Sequence, residues 1–373
     1  MVVNAKLLFQ YLKVLMLILT CVSNTNAIEL KKEIKKTYDP EVIQKISIVN
    51  ESGQIQLETW KKNSIALSIT VTVTSPNSGM ARKEIENYSA EFDTIDNEIL
   101  ILTNLPKISV SFWKRLFGPS DQVEYDFNYK IKCPSNIGFN IKNAHGDIKL
   151  DFLDTPSRFD IFKGNIKAKK LNSYYEFRLD NAALEVETID SVSIFANYSS
   201  IKMGELKAGR VQLKYSQLST EKLTKTNIES LSGVIDIKEC YSSVFLSSFD
   251  KISIGKTHEI SINTKRSDVK LSTVGIIKIT GEHAKIKILE IINQKSLIEI
   301  VGKYHHTKIS ASNPYVFTLE TKNLQPDIKN PAIILSNRDY KQATWSEDTG
   351  YAKNEQSENR IYIMQEYGSL ILE

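Results

Sequence analysis

The chain has 373 residues, of which 41% are hydrophobic and 25% are charged. This composition supports a large buried core and excludes a disordered or fibrous protein. Lys and Arg (48) nearly balance Asp and Glu (44), and the formal charge of +4 excludes a nucleic-acid-binding protein that relies on bulk positive charge.

Residues 1–27 have the pattern of a secretory signal peptide. Lys6 and Lys13 give a basic start, residues 14–22 form an apolar core, and a polar, small-residue region ends at Ala27. An apolar core this short cannot cross a bilayer interior of roughly 30 Å as a helix. The leader therefore predicts export, to the cell surface, the outer membrane or the periplasm.

The cysteines carry little chemistry in this pattern. Cys21 is a candidate lipidation site, but Thr20 directly before it favours the alternative of a cysteine in a discarded leader. After cleavage, Cys133 and Cys240 would remain, which are too few for a disulfide framework or a zinc site on their own. The alternation around Cys133 indicates a small, buried hydrophobic residue.

Residues 28–135 are predicted to form an N-terminal antiparallel β cap. Apolar residues alternate with period two over the three segments 46–49, 54–58 and 65–74, which predicts strands. Residues 80–92 fit one short amphipathic helix. Such a cap would cover the unpaired edge of the coils that follow.

Residues 111–119 form the most apolar loop of the chain and contain Trp113. An exposed apolar loop of this kind is a candidate contact with a partner or a membrane surface. The alternative is that the loop folds over the cap and covers the edge of the first coil.

A repeat is the strongest pattern in the chain. Hexapeptides that begin at residues 145, 163, 181, 198, 215, 232, 249, 266 and 283 are separated by 18, 18 and then 17 residues. Their second residues are small in eight of nine copies, and their fourth residues are all aliphatic: Ile148, Ile166, Leu184, Ile201, Leu218, Ile235, Ile252, Val269 and Ile286. Each hexapeptide therefore predicts a tight turn followed by a short strand with one buried face.

A second apolar cluster follows six of the nine hexapeptides by about half a period, at Phe159/Ile161, Phe177/Leu179, Val192/Ile194, Val211/Leu213, Val244/Leu246 and Ile260/Ile262. Each period thus supplies two short strands and two turns. Stacked periods predict an all-β, parallel β-solenoid of about nine 17–18-residue coils over residues 136–300. The competing interpretation is an antiparallel sandwich of short strands.

The repeat register fades after residue 288. Residues 301–373 are predicted to form C-terminal strands and a cap, with strands at 315–320, 360–364 and 369–372. The polar residues 337–359 are predicted to be a loop.

Segments 46–60, 129–134, 145–150 and 367–372 together resemble the putative bacterial adhesin family, with its autotransporter-adhesin head-domain relatives. The resemblance extends over most of residues 38–373. It implies a bacterial cell-envelope protein with a β-solenoid and no established catalytic residues. The chain departs from that pattern by carrying Ser, Ala or Asp where many repeat copies would carry Gly.

The sequence offers no catalytic group, cofactor site or metal site. Polysaccharide cleavage on a solenoid needs clustered carboxylates on one face, and the outward columns of the repeat do not stack acids in neighbouring coils. An isolated acid such as Asp147 is better explained as an exposed charge on a turn. The histidines His305 and His306 are adjacent and are predicted to point to opposite faces of a strand.

Tyr198 and Tyr215 hold the same register in consecutive coils, so their rings are predicted to stack about 5 Å apart at one corner. This stack is a candidate ligand contact, and stiffening of the turn is the alternative.

The sequence predicts a non-enzymatic, exported adhesin or envelope structural protein whose partner is a surface glycan or protein, not nucleic acid. Contact with a membrane would come only through a lipid anchor. The alternatives are a polysaccharide-active enzyme and a periplasmic scaffold or sensor of envelope stress.

Overall fold

The computed structural model describes residues 27–88, 90–103, 123–292 and 295–373. Those residues are almost entirely β and form a parallel β-solenoid of about ten turns, which confirms the predicted fold class. The predicted leader, Cys21 and Trp113 lie outside the described residues. Among the described residues, no helix has the length and apolarity that crossing a bilayer requires.

The chain begins with β1 (Ile28–Tyr38), β2 (Lys45–Asn50), β3 (Ile55–Thr59), β4 (Ile65–Ser75), the helix α1 (Ser78–Asn87), β5 (Glu91–Ile95), β6 (Glu98–Leu102) and β7 (Glu124–Cys133). The coils continue with β8 (Gly138–Asn143), β9 (Ile148–Leu153), β10 (Ser157–Phe162), β11 (Asn165–Asp180), β12 (Ala183–Asn197), β13 (Ser200–Lys214), β14 (Gln217–Leu231), β15 (Val234–Ser248), β16 (Lys251–Lys265), β17 (Asp268–Glu282) and β18 (Lys285–Ile291). The last strands are β19 (Leu297–Ile309), β20 (Tyr315–Lys322), β21 (Asp327–Ile328), β22 (Ile333–Gln342), β23 (Trp345–Ala352) and β24 (Arg360–Leu372).

The described residues form two compact units. The smaller comprises residues 27–34, 70–88 and 123–127, and the larger comprises the other described residues. In the smaller unit the Asn77 side chain caps α1 by accepting a hydrogen bond from the Met80 amide. The helix ends earlier than the predicted 80–92 because Tyr88 takes an extended backbone conformation, and its ring packs 5.2 Å from that of Phe127.

In the larger unit each coil places its strands directly over those of the next coil. From β11 to β17 every strand pairs in parallel with its successor, one repeat period further along the chain. All nine aliphatic residues at the fourth repeat position are buried, with at most 2% of their surface exposed. The aliphatic ladder predicted from the repeat therefore forms the interior of the solenoid.

The strands near the N-terminus differ from the predicted antiparallel cap. β2 pairs in parallel with β6 and β8, and β3 pairs in parallel with β7 and β9. Between β2 and β3 the chain turns at Gly53, which has a φ of 108° and donates a backbone hydrogen bond to His145. The sequence of this region therefore builds a further coil. β5 and β6 form an antiparallel pair beside it.

The prediction of which residues face the interior was wrong for one strand, β15. Val244 and Leu246 were expected in the interior, but they are 45% and 47% exposed, while Phe245 between them is fully buried. The parallel register explains the difference, because Phe245 lies directly over Ile228 and under Ile262. A shift of one residue in a strand exchanges its buried and exposed sets.

The coils continue beyond residue 288. β19 pairs in parallel with β17 and β18, and β24 pairs in parallel with β19 along its whole length. β20 to β23 are inserted between these two strands, and β23 pairs antiparallel with both β20 and β22. The predicted loop over 337–359 is thus largely β structure, since β22 and β23 form a hairpin there.

Candidate functional site

Every coil turns at a residue in the left-handed backbone region. The first residue of each repeat from the second copy onward has φ between 48° and 58°, and Tyr304 and Tyr367 continue the column at 55° and 60°. None of these ten residues is glycine, although this region costs an L-residue roughly 1 kcal/mol or more. We call this column of residues the corner: Lys163, Asn181, Tyr198, Tyr215, Ser232, Phe249, Arg266, His283, Tyr304 and Tyr367.

The residue after each corner residue is the repeat position at which Ser or Asp often replaces Gly. The hydrogen bonds that these side chains accept explain the replacement. The Ser199 hydroxyl accepts a hydrogen bond from the Ala182 amide at 3.1 Å, and the Ser216 hydroxyl accepts one from the Ser199 amide at 3.0 Å. An Asp250 carboxylate oxygen accepts from the Gly233 amide at 2.6 Å. These buried side chains satisfy amides that the turn would otherwise leave without a partner.

His305 holds the same position in a later coil. Its Nδ1 accepts a hydrogen bond from the Ala284 amide at 3.1 Å, and the side chain is fully buried. Burial lowers the pKa of His305 to about 4, because the charged imidazolium would lose its hydration. His306 is exposed, so the predicted alternation of the two histidines is confirmed.

The predicted tyrosine stack is present at the corner. The rings of Tyr198 and Tyr215 lie 5.0 Å apart between centroids with an interplanar angle of 14°, and the residues are 57% and 45% exposed. A surface cavity of about 610 Å³ adjoins them and is lined also by Asp147, Asn165 and Gln217. The geometry predicted from the repeat is therefore correct, and ligand contact at this stack stays a prediction.

A second stack at the corner was missed from the sequence. The ring centroids of His283 and Tyr304 are 4.7 Å apart, and those of Tyr304 and Tyr367 are 5.0 Å apart. The interval between repeats grows to 21 residues from His283 to Tyr304 and to 63 from Tyr304 to Tyr367, which hid the register. Tyr304 and Tyr367 hold the position of Tyr198 and Tyr215, and these tyrosines were the signal that could have extended the repeat.

A groove of about 1250 Å³ lies on the sheet formed by the strand segments that end at the corner. It is lined by residues of successive coils, among them Phe162, Phe195 and Leu246, which are each between 38% and 47% exposed. The sequence pattern predicts Leu246 in the core, and this prediction hid the groove. The repeat register carried forward from Ile228 would have placed Phe245 there instead.

Polar groups in the groove are already engaged with one another. The Glu229 carboxylate accepts hydrogen bonds from Arg210 at 2.9 and 3.0 Å and also from Gln212. These contacts hold the pKa of Glu229 below its usual range, with Gln212 the larger cause and Arg210 the next. A carboxyl group with a lowered pKa is poorly suited to act as the general acid of a glycosidase.

The two described cysteines are buried and free. Burial raises the pKa of Cys133 to about 12 and that of Cys240 to about 11, so neither thiol is a ready nucleophile. The prediction that Cys133 is a buried hydrophobic residue is confirmed. Within the described ranges, no group of three His, Cys, Asp or Glu side chains is placed to hold a metal ion.

No family model and no curated protein matches the chain. It is similar to a solved putative cell adhesion protein from Clostridium sporogenes, with 11% identity, a TM-score of 0.19, and coverage of 92% of this chain and 98% of that chain. A putative lipid binding protein from Parabacteroides distasonis has 13% identity and a TM-score of 0.32, with coverage of 77% and 96%. A putative adhesin from Bacteroides fragilis has 17% identity and a TM-score of 0.25, with coverage of 75% and 97%.

Solved structures named as putative adhesion proteins are thus among those that the chain is similar to, as the sequence resemblance predicted. At these identities and TM-scores, the similarity assigns no ligand and no binding residue to the chain.

Proposed function

We propose that the chain is a non-enzymatic, exported protein of the cell surface or envelope that acts in adhesion. The observation that carries this proposal is the groove, which crosses successive coils and presents exposed apolar side chains to solvent. Contiguous exposed apolar surface on a soluble domain is typical of an interaction site. The partner is an extended surface ligand, glycan or protein, that can lie across several coils.

The layout of the groove supports binding of an elongated ligand. Phe195 and Leu246 belong to one outward column, and Gln212 and Glu229 lie between them in the same column. Adjacent coils are about 4.8 Å apart, so this column places two hydrogen-bonding side chains between two apolar ones at regular intervals. Apolar contact area with a few placed polar groups is the usual composition of a binding site.

The lowered pKa of Glu229 supports the non-enzymatic part of the proposal. A polysaccharide-active enzyme would need a paired acid and base facing the substrate. Release of reducing ends or unsaturated sugars from a polysaccharide panel, lost on Glu229→Gln or Asp147→Ala, would favour the enzyme over the adhesin.

The test is binding of the purified protein to a panel of immobilised glycans and host-surface proteins. The variant Phe195→Ser/Leu246→Ser should lose binding to whichever panel member the protein binds, because it removes apolar contact from the groove. Val234→Ser is the matched control, since Val234 is an equally exposed aliphatic residue that does not line the groove. Equal binding by both variants, or no binding to the panel, would contradict adhesion through the groove.

Location is tested separately by protease treatment of intact and lysed cells, followed with an antibody to the solenoid. Degradation on intact cells is expected for a surface adhesin. Protection until lysis would instead favour a periplasmic structural or sensing role.

A further inference from the structure

Opposite charges generally occupy directly paired positions in neighbouring coils. Lys207 lies 2.7 Å from Asp190, Lys222 lies 3.1 Å from Glu205, and each pair is separated by one repeat period. The same arrangement joins Lys169 to Asp151, Lys167 to Glu185, Lys238 to Glu221 and Lys256 to Glu239. Cross-strand pairs of opposite charge stabilise a sheet, whereas like charges directly opposite destabilise it.

The sheet that follows the corner departs from this rule in an early coil, where Lys149 is directly paired with Lys167, and again over more positions in its later coils. Lys270 is directly paired with Lys287, and Lys287 is directly paired with Lys308 in the next coil. Lys308 forms an ion pair with Glu373, but Lys270 and Lys287 form none with any described residue. Two exposed like charges are therefore held side by side.

Two further lysines extend this cluster on the same face. Lys285 lies two residues before Lys287 on the same strand. Lys251 lies two coils before Lys285 in the same column, and Asp268 lies between the two lysines. All are exposed, and neither Lys251 nor Lys285 forms an ion pair with a described residue. We call Lys251, Lys270, Lys285 and Lys287 the lysine cluster; with Asp268 included, its formal charge is +3 (four lysines less one aspartate).

The lysine cluster borders the second aromatic stack. His283 lies two residues before Lys285, and it begins the stack that continues through Tyr304 and Tyr367. Tyr304 and Tyr367 are 43% and 38% exposed, so part of each ring is accessible to a ligand at the corner. A row of partly exposed rings thus runs beside a row of positive charges, both at the spacing of the coils.

We propose that the lysine cluster and its bordering stack bind an anionic polysaccharide. Charge complementarity identifies the ligand, because carboxylate or sulfate groups spaced along a chain would neutralise lysines that the protein itself leaves unpaired. The neighbouring phenols would hydrogen-bond sugar hydroxyls. This site lies on a different face from the groove and does not depend on binding there.

The test measures binding of the full-length protein to immobilised polygalacturonate and to chondroitin sulfate, which separates carboxylate from sulfate recognition. Neutral dextran and polyglutamate are the comparison ligands. Binding to at least one acidic polysaccharide, weakened by salt and stronger than to dextran or polyglutamate, is expected. Equal binding to polyglutamate would contradict recognition of a saccharide, and no binding to either acidic polysaccharide would overturn the proposal.

Variants locate the site. Lys270→Gln/Lys285→Gln/Lys287→Gln should weaken binding by roughly tenfold or more, since it removes three charged contacts. Lys207→Gln/Lys222→Gln/Lys238→Gln is the matched control, with the same loss of charge from lysines that are already paired. An equal loss in both variants would show attraction to bulk charge only and would overturn the site.

A further variant separates binding from folding. Lys287→Glu places a carboxylate opposite both Lys270 and Lys308, so the melting temperature should rise while binding to the acidic polysaccharide falls. Loss of binding together with a lower melting temperature would indicate a folding defect and count against the proposal. The groove variant Phe195→Ser/Leu246→Ser should bind the acidic polysaccharide normally, so failure of one proposal is distinguishable from failure of the other.

Discussion

The run of coils from β11 to β17 and the closing coils built by β19 and β24 have the same geometry but different sequences. In the first region each coil follows its neighbour directly along the chain. In the second, residues 310–359 intervene between two strands that pair along their whole length. The corner and the buried face therefore determine the coil, and its strands need not be contiguous along the chain.

The largest expected effect is the loss of stability when a buried phenylalanine is removed, either from the regular coils or from the insertion between β19 and β24. Phe245 lies in the uninterrupted run and Phe317 in the inserted strand β20, and both are buried. Either change to Ala should cost about 3–5 kcal/mol of local stability through lost contacts and a cavity. In the uninterrupted run this should lower the global free energy of unfolding, because each coil depends on both neighbours.

Phe317→Ala should instead act locally. Hydrogen exchange measured on both variants is expected to show faster exchange across many coils for Phe245→Ala, but only in β20 to β24 for Phe317→Ala. Uniform acceleration in both variants would show that the insertion and the regular coils unfold as one unit.

The next largest effect concerns His305 in the closing coils. Its pKa is about 4 in the folded protein and about 6.5 in an unfolded chain, so the unfolded state binds a proton first as the pH falls. The stability contributed by the neutral imidazole is complete above about pH 6.5 and is lost progressively toward pH 4, by about 3 kcal/mol in total. Denaturant titrations at a series of pH values measure this loss.

His305→Ser is the matched variant, because Ser holds the equivalent position in several coils of the regular run. It should remove this part of the pH dependence, even where it lowers stability at neutral pH. An unchanged pH profile in the variant would assign the acid sensitivity to other groups.

A smaller effect is expected in the regular run, at Ser199. Ser199→Ala removes the acceptor of the Ala182 amide and should lower the free energy of unfolding by about 1–3 kcal/mol. Ser200→Ala, which alters the exposed neighbouring residue, is the control and should stay within about 0.5 kcal/mol of the parent. Equal melting temperatures for the two variants would argue against a role for the buried hydroxyl.

The smallest effect is a gain at the corner. Ser232 separates Tyr215 from Phe249 in the column of corner residues. Ser232→Tyr would join the two aromatic positions, and stacked pairs contribute about 0.5–1.5 kcal/mol beyond burial. Thermal denaturation should show a higher melting temperature than for Ser232→Ala, and a lower one would mean that the corner cannot accept a ring between Tyr215 and Phe249.

The repeat in the sequence was sufficient for the regular coils and insufficient elsewhere. The aliphatic residues at the fourth position, such as Ile201 and Leu218, identify the buried face directly, and their fixed spacing places Tyr198 over Tyr215. At β19 the equivalent position is Thr307, a buried polar residue, and the interval from the preceding copy is longer. The aliphatic pattern therefore cannot locate the repeat in coils whose buried position is a polar residue.

The candidate surfaces were harder to predict than the fold. The groove depends on Leu246 facing outward. Residues 244–246 are all apolar, so the sequence admits either face until Phe245 is aligned with Ile228. The lysine cluster depends on which lysines lack a partner in the neighbouring coil. Pairing between coils is a property of three-dimensional register, and the linear sequence shows only the residue types.

Stacked parallel coils have a mechanical consequence when the chain is pulled from one end. A 17-residue coil occupies about 4.8 Å along the stack, but its chain spans roughly 55–60 Å when it is pulled straight. Under tension the outermost coil can peel away while the coils beneath it keep their hydrogen bonds. Each peeled coil would lengthen the chain by roughly 50 Å and dissipate work. Under a sudden load the protein would therefore extend in steps of equal length.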